Sequence, residues 1–239
     1  MIHFDHVCLA AQNVYEATFR LSKETGIGNY DGGFFPLYGL GHKVVPLASD
    51  IFIEVESVVD HMALRNGNPV AKLYEEKTLE GDCFLGWCLR ADTMEEMETF
   101  AAHHNVTVDA KTLGEDTARQ MMNGRRGLAI QVPSALSSWP KGMPNLYFKP
   151  DLNDHPARFP VEPGTGSNKG QGVQWIEVGQ SESELANWLG PLVKPTELNV
   201  EIRYNGGTPG LYALGVKTTN GAIEIRRAPV KVSAAQWSL

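Results

Sequence analysis

The chain has 239 residues, 42% of them apolar and 21% charged, with a formal net charge of −7. Ordinary apolar content excludes general disorder, and no run approaches the roughly 18 apolar residues of a membrane-spanning helix. The acidic balance argues against nucleic acid as the main partner, because phosphate binding needs a clustered basic surface. Arg125-Arg126 and Arg226-Arg227 are isolated basic pairs.

The opening Met1-Ile2-His3-Phe4-Asp5-His6 has neither a basic stretch nor an apolar stretch of the export type, so a cytoplasmic protein is expected. Cys8, Cys83 and Cys88 form no even framework and no CxxC pair, which reads as buried free thiols in a reducing compartment.

Three segments repeat one order of elements. Phe4 to Ala11 is β-rich, and Asn13 then caps a helix over Val14 to Thr25, with Ala17 and Leu21 on its apolar face. Gly26, Gly28, Gly32 and Gly33 break that helix, and strands follow over His42 to Leu47 and Ile51 to Val58. A polar connector, His61 to Glu80, holds a short helix around Val70 to Glu76.

The second segment opens with a strand over Phe84 to Ala91. Asp92 or Thr93 caps a helix carrying Met94, Met97, Phe100 and Ala101. Strands are expected at Val106 to Val108, Gly127 to Val132 and Asn145 to Lys149. Prolines and glycines from Pro150 to Gln171 predict a long exposed link. The third segment starts with a strand over Val173 to Val178. A helix from Ser181 to Leu189 follows, then strands over Glu197 to Tyr204, Leu211 to Lys217 and Ala222 to Arg226.

The reading is therefore an α+β fold of three βαβββ units. A region over 1–150 contains units at about 1–58 and 84–150; a link over 151–171 leads to a third unit over 172–239. No GxGxxG, P-loop or GxSxG motif is present, so nucleotide binding and serine hydrolysis lack support.

Phe4-Asp5-His6-Val7, the capped helix, Gly41 to Leu47 and Ile51 to Val55 resemble the opening unit of a glyoxalase-like protein. Gly124 to Leu128, Met143 to Phe148 and His155-Pro156 extend the resemblance to the glyoxalase-like branch of the vicinal oxygen chelate superfamily. It implies paired βαβββ units curled into an open bowl, with a divalent ion held by the first and last strands of each unit.

By that resemblance His6 and Glu54 are ligands from the first unit. Gln174 (or, one residue on, Trp175) and Glu224 are their counterparts in the third. Ile53-Glu54-Val55 and Ile223-Glu224-Ile225 match locally, although Arg226 suits an exposed polar face equally well. The middle unit offers Trp87 and Phe148, which cannot ligate. If units one and two pair, only His6 and Glu54 remain; if one and three pair, the set is complete.

A His, Gln, Glu, Glu set suits Zn²⁺, Ni²⁺, Mn²⁺ or Fe²⁺. The implied function is a metal-dependent isomerase, lyase or dioxygenase acting on a small oxygen-rich substrate, with Glu54 or Glu224 moving a proton. His42 is expected at the bowl mouth, Arg125 and Arg126 on an anionic substrate group, and Trp175 against the substrate. The alternative is a metal-free protein that sequesters a small molecule. An unpaired third unit would leave a sheet edge that a homodimer could cover.

Overall fold

The computed structural model describes residues 1–108, 119–120, 126–127 and 130–227. Unit one is β1 (Ile2–Ala10), α1 (Val14–Thr25), β2 (Tyr30–Phe35), β3 (Leu40–Pro46) and β4 (Phe52–Val58). Two helices follow, α2 (His61–Arg65) and α3 (Pro69–Lys77). Unit two supplies β5 (Cys83–Ala91), α4 (Met94–His103), β6 (Arg119–Gln120), β7 (Arg126–Gly127), β8 (Ile130–Val132), α5 (Ala135–Ser138) and β9 (Asn145–Phe148). The remainder is β10 (Gly170–Val178), α6 (Glu182–Leu189), β11 (Glu201–Tyr204), β12 (Leu211–Thr218) and β13 (Gly221–Arg226).

Units one and two share a nine-stranded sheet of order β7-β6-β2-β3-β4-β1-β5-β9-β8. Each unit's first strand runs parallel to its last, β1 with β4 and β5 with β9. The two first strands meet antiparallel at the centre. This mirrored arrangement makes one curled, open sheet from the first two units.

The third unit keeps the βαβββ order but not the pairing. Its first strand lies between β11, parallel, and β12, antiparallel, in a separate sheet of order β11-β10-β12-β13. Units one and two are thus the pair.

Strand alternation sorts the side chains by face. Phe4, Val7 and Leu9 of β1, Ile53 and Val55 of β4, and Trp87 and Leu89 of β5 join the main core. Val173, Ile176, Leu214, Val216 and Ile225 of the third unit belong to that core as well, so the four-stranded sheet backs the outer face. The other face of β1, β4 and β5 carries His6, Cys8, Glu54, Glu56 and Cys88, all buried.

Local rules set the helices. Asn13 accepts from the Tyr15 and Glu16 N–H groups, and Gly26 ends α1 in the left-handed conformation at φ 72°. Thr93, not Asp92, caps α4, through a reciprocal capping box with Glu96. Asn13→Ala is expected to cost about 1 kcal/mol, lowering the melting temperature by about 2–4 °C in a thermal unfolding scan.

Several expectations are corrected. Beyond the end of α1, Gly32 and Gly33 lie within a further strand, β2, which the glycine content concealed. Residues 106–108 form no strand. The 151–171 link is not an exposed tether: His155, Pro156 and Ala157 are buried, Tyr30 donates to the Pro156 carbonyl at 2.6 Å, and Asn168 donates to the Thr25 carbonyl. All three cysteines are free and buried. No helix among the described residues is long and apolar enough to cross a membrane.

Candidate metal centre

Residues on the inner face of the nine-stranded sheet converge around β1. In the parallel β1–β4 register Cys8 sits beside Glu54, and His6, two residues earlier, projects from the same face. The His6 Nε2 to Glu54 Oε2 distance is 4.0 Å. Single ligand atoms of His6, Cys8 and Glu54 all lie within 4.8 Å of one another. From β3, His42 places Nε2 at 3.3 Å from Glu54 Oε1 and stacks on Phe35 at 4.9 Å between ring centroids.

A register shift between Phe4 and His6 turns the Asp5 carboxylate onto this face as well. His6 Nδ1–H donates to Asp5 Oδ1 at 2.5 Å. His155 Nε2–H donates to Asp5 Oδ2 at 3.1 Å, and its Nδ1 accepts from the Ala157 N–H, which fixes the tautomer. Arg90 Nε lies 3.2 Å from the same Oδ2. Asp5 is fully buried.

Burial alone would raise the Asp5 carboxyl, but the hydrogen bonds from His155 and His6 outweigh it and hold it well below the usual carboxylate range. Burial disfavours the charged form of His6, yet Cys88 and Asp5 outweigh it and raise the imidazole. Burial is the main cause that pushes the Cys8 thiol up.

Further along β4, Glu56 accepts a hydrogen bond from the Tyr74 hydroxyl of α3. Cys8, Glu54 and Glu56 are among the polar lining of a cavity of about 290 Å³, with Asn68, Gln131 and Ser134. Phe35, Tyr38, Leu40, Val70 and Trp139 are among its apolar walls. A larger open groove of about 750 Å³ along α1 is lined by no histidine or cysteine.

The donor set fits a divalent ion. Tetrahedral sites with bonds of about 2.0–2.3 Å separate their ligand atoms by about 3.3–3.8 Å, so a contraction of about 1 Å would suffice. Asp5 on Nδ1 is the carboxylate that metal-binding histidines ordinarily carry, leaving Nε2 for the ion.

The remaining sequence-predicted residues lie elsewhere. Glu224 is exposed on the edge strand β13, 2.7 Å from Arg226. Gln174 is exposed on β10, and Trp175 is half-buried under the Arg203 guanidinium at 4.1 Å. The structure therefore does not bring Gln174, Trp175 or Glu224 to His6 and Glu54, because the third unit packs behind the outer face. Arg126 lies on β7, at the sheet edge, and Arg125 lies outside the described residues.

The strand parity of unit two also needs correction. Cys88 pairs with Asn145 as His6 pairs with Phe52, so the counterparts of His6 and Glu54 are Cys88 and Tyr147. Trp87 faces the main core instead. Asp5, Cys8 and Arg90 were not recognised as site residues, and His155 entered only with Pro156 as part of the family resemblance; for Cys8 the signal was its place two residues after His6.

A family model described as a glyoxalase-like domain matches residues 4–193. The chain belongs to the glyoxalase-like domain family, within the vicinal oxygen chelate superfamily. A hypothetical protein from Staphylococcus aureus shares the fold at TM-score 0.58, with 13% identity and 89% of each chain covered. Methylmalonyl-CoA epimerase from Mycobacterium tuberculosis aligns at TM-score 0.40 and 16% identity, over 61% of this chain and 85% of that one. A 4-hydroxymandelate synthase mutant from Streptomyces coelicolor aligns at TM-score 0.48 and 10% identity, over 93% and 61%. No curated protein matches in sequence. The family match covers β1 to α6 and stops short of β13, so Glu224 lies outside it.

Gly32 is what lets His42 reach the site. A Cβ there would meet His42 Nε2 at 2.2 Å and Val44 at 2.9 Å. Gly32→Ala is therefore expected to push the imidazole off Glu54 at a cost of about 1–3 kcal/mol. Denaturant unfolding reads the loss, and a shifted His42 ring signal in NMR reads the displacement.

Proposed function

We propose that this glyoxalase-like chain is a divalent-metal-dependent enzyme acting on a small oxygen-rich molecule in the cavity beside Glu54. The reaction is of the isomerase, lyase or dioxygenase type. The carrying observation is the convergence of His6 Nε2 and the Glu54 carboxylate on the cavity side of one sheet, with His6 Nδ1 anchored by a buried aspartate.

His6 and Glu54 would hold the ion, and Asp5 fixes the ring that does so. When bound, the ion supplies Lewis-acid polarisation of substrate oxygens. Glu54 offers a carboxylate oxygen at the cavity surface, where it can take or return a proton. The apolar walls at Phe35, Leu40 and Trp139 take the carbon skeleton and displace water. Gln174 and Glu224 have no part in this reading, since both face solvent on the other sheet.

Metal analysis of the purified protein, followed by titration with Zn²⁺, Ni²⁺, Mn²⁺ and Fe²⁺, tests it. One ion per chain is the expected result. The mostly apolar cavity wall favours a second reading, a metal-free binding protein, and retention of small molecules without any metal uptake would replace the first reading with that one.

A further inference from the structure

We infer that Cys8 is a third metal ligand, so that the ion is held by a His-Cys-Glu set drawn entirely from unit one. This rests on the metal-dependent reading above and adds to it a thiolate, with consequences for which ion binds.

His6 and Cys8 are two apart on β1 and share a face, and Cys8 is the register partner of Glu54 on β4. One donor atom from each residue falls within a sphere in which every pair is 4.8 Å apart or less. Cys8 and Glu54 both line the cavity, so an ion between them would keep an open position toward a substrate. Three protein ligands and an open position is the arrangement of catalytic rather than structural sites.

Both other thiols have hydrogen-bond partners of their own, although Cys88 also faces His6 and Cys8 across the β1–β5 seam. Cys88 Sγ donates to Asn145 Oδ1 at 2.7 Å, and Cys83 Sγ donates to the Lys77 carbonyl at 3.5 Å. Unit two therefore places a hydrogen-bonded thiol and, at Tyr147, an aromatic ring edge-on to His6 where unit one has its histidine and glutamate. The ion sits on one side of the β1–β5 seam, and the unit-two side is left to the substrate.

A thiolate donor narrows the choice of ion. Thiolate with imidazole and one carboxylate favours Zn²⁺ and its spectroscopic substitute Co²⁺ over Mn²⁺ and Mg²⁺, which prefer all-oxygen sites.

Titration of the full chain with Co²⁺, followed by absorption spectroscopy, tests the assignment. The expected result is a sulfur-to-cobalt charge-transfer band in the near ultraviolet that saturates at one ion per chain. Cys8→Ser and Cys8→Ala should remove the band and, as for the other two ligands, weaken Zn²⁺ binding by at least about 100-fold, while Cys88→Ser keeps the band. Circular dichroism checks that each variant is folded. Stoichiometric Co²⁺ binding without the band overturns the Cys8 assignment and leaves His6 and Glu54 as ligands. A band lost in Cys88→Ser but kept in Cys8→Ser also overturns it. Absence of any Co²⁺ or Zn²⁺ binding overturns the metal-dependent reading itself.

Discussion

Asp5→Ala should lower the melting temperature by about 6–20 °C, taking about 2–4 °C per kcal/mol for a chain of this size. The carboxylate is fully buried and faces the His6 imidazole, the His155 imidazole and the Arg90 guanidinium. Removing one partner of a buried charged network costs about 3–5 kcal/mol, because the remaining charges stay out of water uncompensated. Arg90 keeps a contact with Asp50 at 3.2 Å, which recovers part of the loss. Glu201→Gln, at the exposed pair with Arg203, should leave the melting temperature unchanged. The same Asp5 variant removes the acceptor that orients His6, so ion binding should weaken by about 10–100-fold. Thermal scans and metal titrations on one preparation check both effects.

His6→Ala and Glu54→Gln should each weaken ion binding by at least about 100-fold, more than removal of the outer carboxylate. Two ligands in place of three leave an ion largely to water, and the thermal stabilisation by added Zn²⁺ should vanish with it. Glu54→Gln is the cleaner variant, since the amide keeps the shape and an acceptor oxygen toward His42. Glu224→Gln, on the exposed edge strand, should bind the ion as the parent does. A Glu224 variant that lost binding would restore the cross-unit site the sequence suggested.

The difference between these two glutamates shows how far the sequence could be read. Ile-Glu-Val at 53–55 and Ile-Glu-Ile at 223–225 have the same local pattern. β4 lies between β3 and β1 and is buried on both faces, so Glu54 must be inside. β13 is an edge strand with one face in solvent, and Arg226 two residues on pairs with Glu224. Local composition cannot separate a central strand from an edge strand, because that distinction lies in the long-range pairing.

The same reason hid the split of the third unit from the first two. The third unit repeats the element order of the first, but order does not specify that β10 pairs with β11 where β1 pairs with β4. The cap was legible at Asn13 because its chemistry is local. β2 was not, because Gly32 sits there to admit a side chain from β3, a long-range reason for a residue that locally reads as a break. Asp5 was hidden by a bulge, which turns a side chain that simple alternation would send to the core.

Anomalous diffraction from Zn²⁺-loaded crystals, recorded at the zinc absorption edge, tests the location of the ion most directly. One strong peak bonded to His6 Nε2 and a Glu54 carboxylate oxygen is the predicted result. A peak beside Glu224 on the four-stranded sheet, or no peak on the inner face of the nine-stranded sheet, would contradict it.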